Sequence, residues 1–170
     1  LLLLSCSSVF SQHSVARDWN EEMLHAIRND FARPTVHARN LFHGAIAMYD
    51  AWAIFNDTAT PVLLGNTFQG FSVAYDPLPM PSNPDEATHE VMSYALYRLM
   101  QHRFKDSPGA DEIFVDINQR MASYGYNLFV TSTDYSDGSY AKLGNYLASQ
   151  IIAFGLQDGS NEENDYASIF

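Results

Sequence analysis

The chain has 170 residues, 46% hydrophobic and 14% aromatic, which is enough for one folded domain with a buried core and too apolar for a disordered chain. Nine basic and 20 acidic residues give a formal net charge of -11, which repels phosphate backbones and argues against nucleic acid as a partner. The single cysteine, Cys6, excludes a disulfide within the chain.

Residues 1–12 have the apolar character of a truncated signal peptide, and their four leucines are too few to span a bilayer. Cleavage before Gln12 is plausible, and residues 13–170 are expected to form the helical N-terminal domain of a longer protein. Alternatively, Leu3-Leu-Ser-Cys6 resembles a loose lipobox, which would anchor a lipoprotein to a membrane through Cys6. The expected location is therefore secreted or periplasmic, with a Cys6-anchored lipoprotein as the alternative.

Two helices are predicted before residue 57. Apolar residues at helical spacing, with Asp18 as the cap, predict the first over residues 18–29. Pro34 suits the first turn of the second, which is predicted to run to about Phe55. Two adjacent stripes of this second helix are both too apolar to face water. One stripe contains Asn40, His43, Ala47, Asp50 and Ile54, and the other contains His37, Leu41, Gly44, Met48, Trp52 and Phe55.

Residues 57–82 are predicted to form one long loop, because prolines and glycines interrupt the segment and its apolar residues follow no regular spacing. Asn83 then offers a cap, Pro84 an N1 proline and Glu86 an acid three residues after the cap. This pattern predicts a third helix that runs to about Phe104.

Two further helices complete the predicted fold. Ser107-Pro108 repeats the start signal of the third helix, and the fourth helix is predicted to end near Gly125. The fifth is predicted from Tyr140 to Phe154, with Gly155 as a left-handed C-cap. The sequence favours a strand only around residues 128–133. The predicted fold class is all-α, with about five helices in a bundle-like layer and one long Pro/Gly-rich loop.

Three segments of the chain form a recognisable set. They are Trp19-Asn-Glu-Glu22, the stretch from Arg33-Pro-Thr-Val-His-Ala-Arg-Asn40 to Tyr49-Asp-Ala-Trp52, and Gly155-Leu-Gln-Asp-Gly-Ser-Asn-Glu162. Together they resemble the N-terminal helical region of secreted bacterial vanadium-dependent haloperoxidase-like proteins, relatives of the type 2 phosphatidic acid phosphatases. The resemblance covers about residues 15–170.

The family's catalytic motifs are not matched. The family builds its oxyanion site from a Lys and an Arg-Pro, then a Ser-Gly-His, then an Arg followed by the metal-bonded His. Here Ser-Gly-His does not occur, and Arg33-Pro34 lies in the N-terminal motif. We therefore assign no catalytic, cofactor-binding or metal-binding residue. The resemblance implies vanadate as the cofactor of a longer protein, with its ligands outside this chain and a C-terminal catalytic domain as the partner.

The polar residues of the second predicted helix have two interpretations. His37, Asn40, His43 and Asp50 would form a polar core cluster, either a metal or acid–base site or a structural network. Metal-binding histidine pairs prefer spacings of three or four on a helix, and His37 and His43 are six apart. We favour a hydrogen-bonded network that fixes how the first two helices meet.

The remaining charged residues are predicted to be structural. Residues 158–165 are rich in oxygen ligands but lack the EF-hand spacing, so a turn after the fifth helix is expected. Arg33 and Arg39 are expected to pair with Asp30 or Asp50. The isolated histidines are expected at the surface. These are His13, His25, His89 and His102.

Three functions follow as hypotheses. The first is a supporting N-terminal domain of a haloperoxidase-like enzyme that oxidises halide with peroxide. The second keeps the same superfamily but makes the complete protein an acid phosphatase, because vanadate and phosphate share tetrahedral geometry. The third is a non-catalytic, secreted helical module that binds a partner through the loop 57–82.

Overall fold

A computed structural model describes residues 14–168 and confirms the all-α prediction. Its α-helices are α1 (Val15–Arg28), α2 (Pro34–Ala53), α3 (Pro84–Phe104), α4 (Ala110–Ser123) and α5 (Tyr140–Gly155). The sheet content of these residues is one small antiparallel hairpin, β1 (Thr67–Phe68) and β2 (Phe71–Ser72). The predicted signal peptide, the Cys6 lipobox and His13 lie outside the described residues.

Helix α3 is the centre of the fold and packs against each of the other four helices. Its closest neighbour is α5, because Gly144 carries no Cβ; a Cβ there would lie 2.5 Å from the Val91 carbonyl oxygen. On the other side, the Trp19 indole of α1 donates a hydrogen bond to the buried Ser93 hydroxyl at 3.0 Å. Buried residues lie on most sides of α3, and they include every residue from 91 to 97, as expected of a helix that other elements surround.

The first two helices differ from the predicted ones at their ends. Ser14, rather than Asp18, caps α1 by accepting a hydrogen bond from the Arg17 amide at 3.3 Å. Helix α1 therefore begins at Val15 rather than at residue 18. Helix α2 ends at Ala53, before the predicted end near Phe55.

The predicted start of α4 was wrong. Gly109 is the N-cap of this helix, and the Ser107 hydroxyl instead donates a hydrogen bond to Asp30 at 2.8 Å. Gly109 also lies against the end of α1, since its amide donates to the Asn29 carbonyl at 3.0 Å. A Cβ on Gly109 would lie 2.7 Å from that of Asn29. This close approach explains why glycine, and not a side-chain cap, begins the helix.

The long loop is more structured than its sequence indicated. Gln69 and Gly70 both have positive φ, as the two central residues of a tight hairpin turn require. Leu63, Leu64 and Val73 are buried in the core beneath this hairpin. The loop is thus fastened to the helices along part of its length.

One stripe of α2 is less buried than predicted. Leu41 and Trp52 are exposed, although the stripe that contains them was expected to avoid water. The other stripe is buried at Asn40, His43 and Asp50, as expected. Helix α2 therefore turns its polar residues inward and part of its aromatic surface outward.

Candidate functional site

The most concentrated chemistry of the described residues is a network of charges where the segment after α5 meets α2 and α3. Arg39 of α2 donates from Nε to Asp158 at 2.5 Å and from Nη2 to Glu162 at 2.6 Å. The same Nη2 donates to the Gly155 carbonyl at 2.8 Å. Both carboxylates and the guanidinium are almost fully buried. Charge-assisted hydrogen bonds of this kind are among the strongest in proteins.

Arg103 of α3 is the second arginine that contacts Glu162. Its side chain is fully buried, and its Nη1 contacts Glu162. Its Nη2 lies 3.0 Å from His43 Nδ1. Because a guanidinium can only donate, Nδ1 of His43 accepts, and the proton of the neutral ring lies on Nε2. That Nε2 faces Asp158 at 3.5 Å.

The surroundings of His43 keep the ring uncharged. Burial of the ring, with the nearby positive charges of Arg103 and Arg39, lowers the pKa of His43 to about 4. Neutral His43 can therefore accept from Arg103 throughout the physiological pH range. Neutral His43 has no free lone pair with which to act as a general base, because Nδ1 accepts the hydrogen bond from Arg103.

Glu162 is the residue on which the network converges. Burial alone would raise the pKa of Glu162, but the hydrogen bond from His102 and the charge of Arg103 outweigh it and hold the pKa well below its usual range. His102 Nε2 lies 2.9 Å from Oε1. Arg39 and Arg103 contact Oε2. Glu162 therefore remains ionised at neutral pH and compensates two buried cations.

Gly155 leaves space for this network, and its predicted role as a left-handed C-cap was wrong. The residue is the last of α5 and does not have positive φ. A Cβ would lie 2.5 Å from Arg103 Nη2 and 2.6 Å from Arg39 Nη2. Glycine is needed here because two guanidinium groups pass against the backbone.

A polar cleft of about 620 Å³ lies beside the network, between the start of α2, the end of α3 and the C-terminal segment. Arg33 at its edge forms a two-pronged salt bridge to Asp165, with distances of 2.7 and 3.1 Å. The guanidinium also lies 5.8 Å from the centre of the Tyr166 ring. The predicted pairing of Arg33 and Arg39 with Asp30 or Asp50 was therefore wrong.

The four residues of the predicted polar cluster do not form one network, because each has a different environment. His43 belongs to the network, whereas Asp50 accepts three backbone hydrogen bonds from the loop, at 2.6 to 3.0 Å. His37 lies 3.3 Å from Asp30. Asn40 is buried, and its Oδ1 has no hydrogen-bond partner among the described residues. Asp50 thus fastens the loop to α2.

Sequence reasoning missed most of the network. His102 was expected at the surface but bonds Glu162, and His89 is also half-buried, with Nδ1 2.7 Å from the Tyr126 hydroxyl. Arg103 was not singled out because basic residues are common in the last turn of a helix and do not indicate burial. The acidic segment 158–165 was the available clue, since buried arginines need carboxylates and few other acidic stretches are as dense.

One group in the described part of the chain has the spacing of metal ligands. It consists of His25 of α1 with Glu112 and Asp116 of α4. Both ring nitrogens of His25 are already engaged, Nδ1 with Asp116 at 3.0 Å and Nε2 with the Asn29 amide at 3.0 Å. A cation would have to displace one of these bonds. We interpret the group as a hydrogen-bonded contact between α1 and α4.

The network does not fit a vanadate ion. An oxyanion site needs cationic donors that face an open position, and here Asp158 and Glu162 already occupy the donors of Arg39 and Arg103. Two carboxylates at the same position would repel a further anion. The arrangement is suited to holding backbone segments together.

Comparisons with protein-family models, with curated proteins and with solved structures gave no match. Of the helices in residues 14–168, none combines the length and the apolar character needed to cross a membrane.

Proposed function

We propose that this chain is the N-terminal supporting domain of a secreted vanadium-dependent haloperoxidase-like enzyme. In the complete protein, a downstream domain would bind vanadate and oxidise halide with peroxide. The observation that carries the proposal is a contact between two of the segments on which the resemblance rests. Arg39 and His43 come from the second segment, Asp158 and Glu162 come from the third, and the four side chains meet in one buried network.

The chemistry of the network favours a supporting role over a catalytic one. The two arginines and two carboxylates neutralise each other, and His43 is uncharged between them. Removing one member would leave a buried charge without compensation, so the set acts as a unit that fixes α2, α3 and the C-terminal segment. This is what a domain needs if it is to present a rigid surface to a catalytic partner.

Assays on the complete protein and on residues 13–170 test the proposal. With added vanadate, peroxide and bromide or chloride, we expect halogenation of a dye substrate by the complete protein and none by residues 13–170. A phosphate monoester assay without vanadate separates the phosphatase alternative, because a phosphatase would hydrolyse the ester and be inhibited by vanadate. Turnover by residues 13–170 above a buffer control would contradict a supporting role.

A further inference from the structure

Helix α2 has an uncovered apolar face, which we call the outward face. Its members recur every three or four residues along the helix, so they form one continuous stripe. Four of them are large and exposed, with 36% of Leu41, 47% of Phe42, 41% of Tyr49 and 44% of Trp52 accessible to water. The outward face carries no charged residue and consists of Ala38, Leu41, Phe42, Ala45, Met48, Tyr49 and Trp52.

The size of the outward face is that of an interaction site. At 1.5 Å per residue, the stripe from Ala38 to Trp52 is about 21 Å long. A large aromatic side chain has 150–250 Å² to bury, so the exposed parts of the three aromatic residues and Leu41 present roughly 300 Å² of surface. That is within the range in which a patch on a monomer is often functional. The Phe68 ring of the hairpin lies 6.4 Å from that of Phe42 and forms one side of the face.

We propose that the outward face is the docking surface for an apolar, uncharged helix face of the domain that follows residue 170. This inference rests on the proposed function, which supplies that domain. Tyr49 and Trp52, whose rings are 5.7 Å apart, are of the residue types that dominate binding energy at interfaces. The absence of charge from the outward face calls for an equally uncharged partner surface.

The contacts of Asp165 and Tyr166 with α2 favour a domain of the same chain as the occupant. The bonds of Asp165 to Arg33, and of the Tyr166 hydroxyl to Arg39 at 3.5 Å, hold the last described residues against the first turns of α2. A continuation of the chain therefore starts beside the helix that carries the outward face. Tethering raises the effective concentration of such a domain, so a modest interface is sufficient.

Two other occupants fit less well. Two copies of the outward face pressed together would bury about 600 Å², which is below the 1,200 Å² or so of a stable interface between separate chains. A membrane surface is disfavoured because no Lys or Arg lies on the outward face and the chain carries a net charge of -11.

Hydroxyl-radical footprinting of the complete protein tests the proposal without any need to isolate a domain. Phe129 and Met80 serve as internal references, because they are 89% and 52% exposed and lie elsewhere. After correction for intrinsic reactivity, we expect Tyr49 and Trp52 to be oxidised about tenfold more slowly than these references at every protein concentration, as in the core of an interface. In Leu41→Glu/Trp52→Glu, Tyr49 should become reactive, whereas the matched control Val115→Glu on exposed α4 should leave it protected.

Three results would overturn the docking proposal. The first is oxidation of Tyr49 and Trp52 at rates that match their exposure in this structure. The second is protection that disappears on dilution, which would indicate a second copy, and the third is protection of Tyr49 that survives the double substitution. A halide-oxidation assay on the same preparation tests the proposed function separately from the docking proposal. An active enzyme with a reactive outward face refutes docking alone, and a protected face without activity refutes the haloperoxidase assignment alone.

Discussion

Replacing Glu162 with Gln tests whether the buried network holds the domain together. The substitution keeps the shape of the side chain but removes the charge that compensates Arg39 and Arg103. Arg39 keeps its bond to Asp158, whereas the buried Arg103 loses the carboxylate that it contacts. Breaking a buried ion pair by neutralising one partner costs about 3–5 kcal/mol, and the remaining amide oxygen places Glu162→Gln near 3 kcal/mol. For a domain of this size, that loss lowers Tm by about 6–12 °C.

Glu163→Gln is the matched control. Glu163 follows Glu162 in a short 3-10 helix, Glu162–Asn164, is exposed, and has no ion pair within residues 14–168. Thermal and urea unfolding, followed by circular dichroism, should show a large loss for Glu162→Gln and a change of less than about 0.5 kcal/mol for Glu163→Gln. Equal melting temperatures for the two variants would refute the account of the network.

Three further predictions concern pH, the loop and Gly155. Because the folded state keeps the pKa of His43 near 4 while the unfolded ring titrates near 6.5, the unfolded state binds the extra proton. Stability should fall by up to about 3 kcal/mol as pH drops from 6.5 to 4, and urea titrations across this range should show a weaker fall in His43→Gln. Asp50→Ala leaves three loop amides without their acceptor and should cost about 1–3 kcal/mol, with little change for exposed Asp57→Ala. In the complete protein that we propose, loss of turnover per folded molecule at an unchanged Tm would instead make Asp50 a functional residue. Gly155→Ala forces a methyl group against two guanidinium groups and should cost about 1–3 kcal/mol of stability. The loss should exceed that of Gly44→Ala, whose added methyl group meets the flexible end of Met23 at 3.1 Å. Equal losses in the two variants would contradict the role given to Gly155.

The helices were predictable because their signals are local. Asn83 caps α3 through the Glu86 amide, and Pro84 begins that helix, as the sequence indicated. The start of α4 was not predictable, because it depends on the contact of Gly109 with Asn29 of α1. A cap pattern in the sequence carries no information about which residue a neighbouring helix will meet.

The pairing of residues in the network could not be predicted from the sequence for a related reason. Arg39 and Asp158 are 119 positions apart, and no periodicity links residues at that separation. The polarity of α2 correctly indicated buried polar groups at His43 and Asp50, but their partners come from α3, the loop and the segment after α5. Burial could be inferred from one helix, whereas pairing required the tertiary structure.

The central claim is that this chain supports a catalytic domain encoded after it, and the reading frame beyond codon 170 tests it most directly. The account predicts an Arg-Pro, then a Ser-Gly-His, then an Arg followed within a few residues by a His, all downstream of Phe170. A stop codon shortly after Phe170, or a long continuation without these motifs, would contradict it.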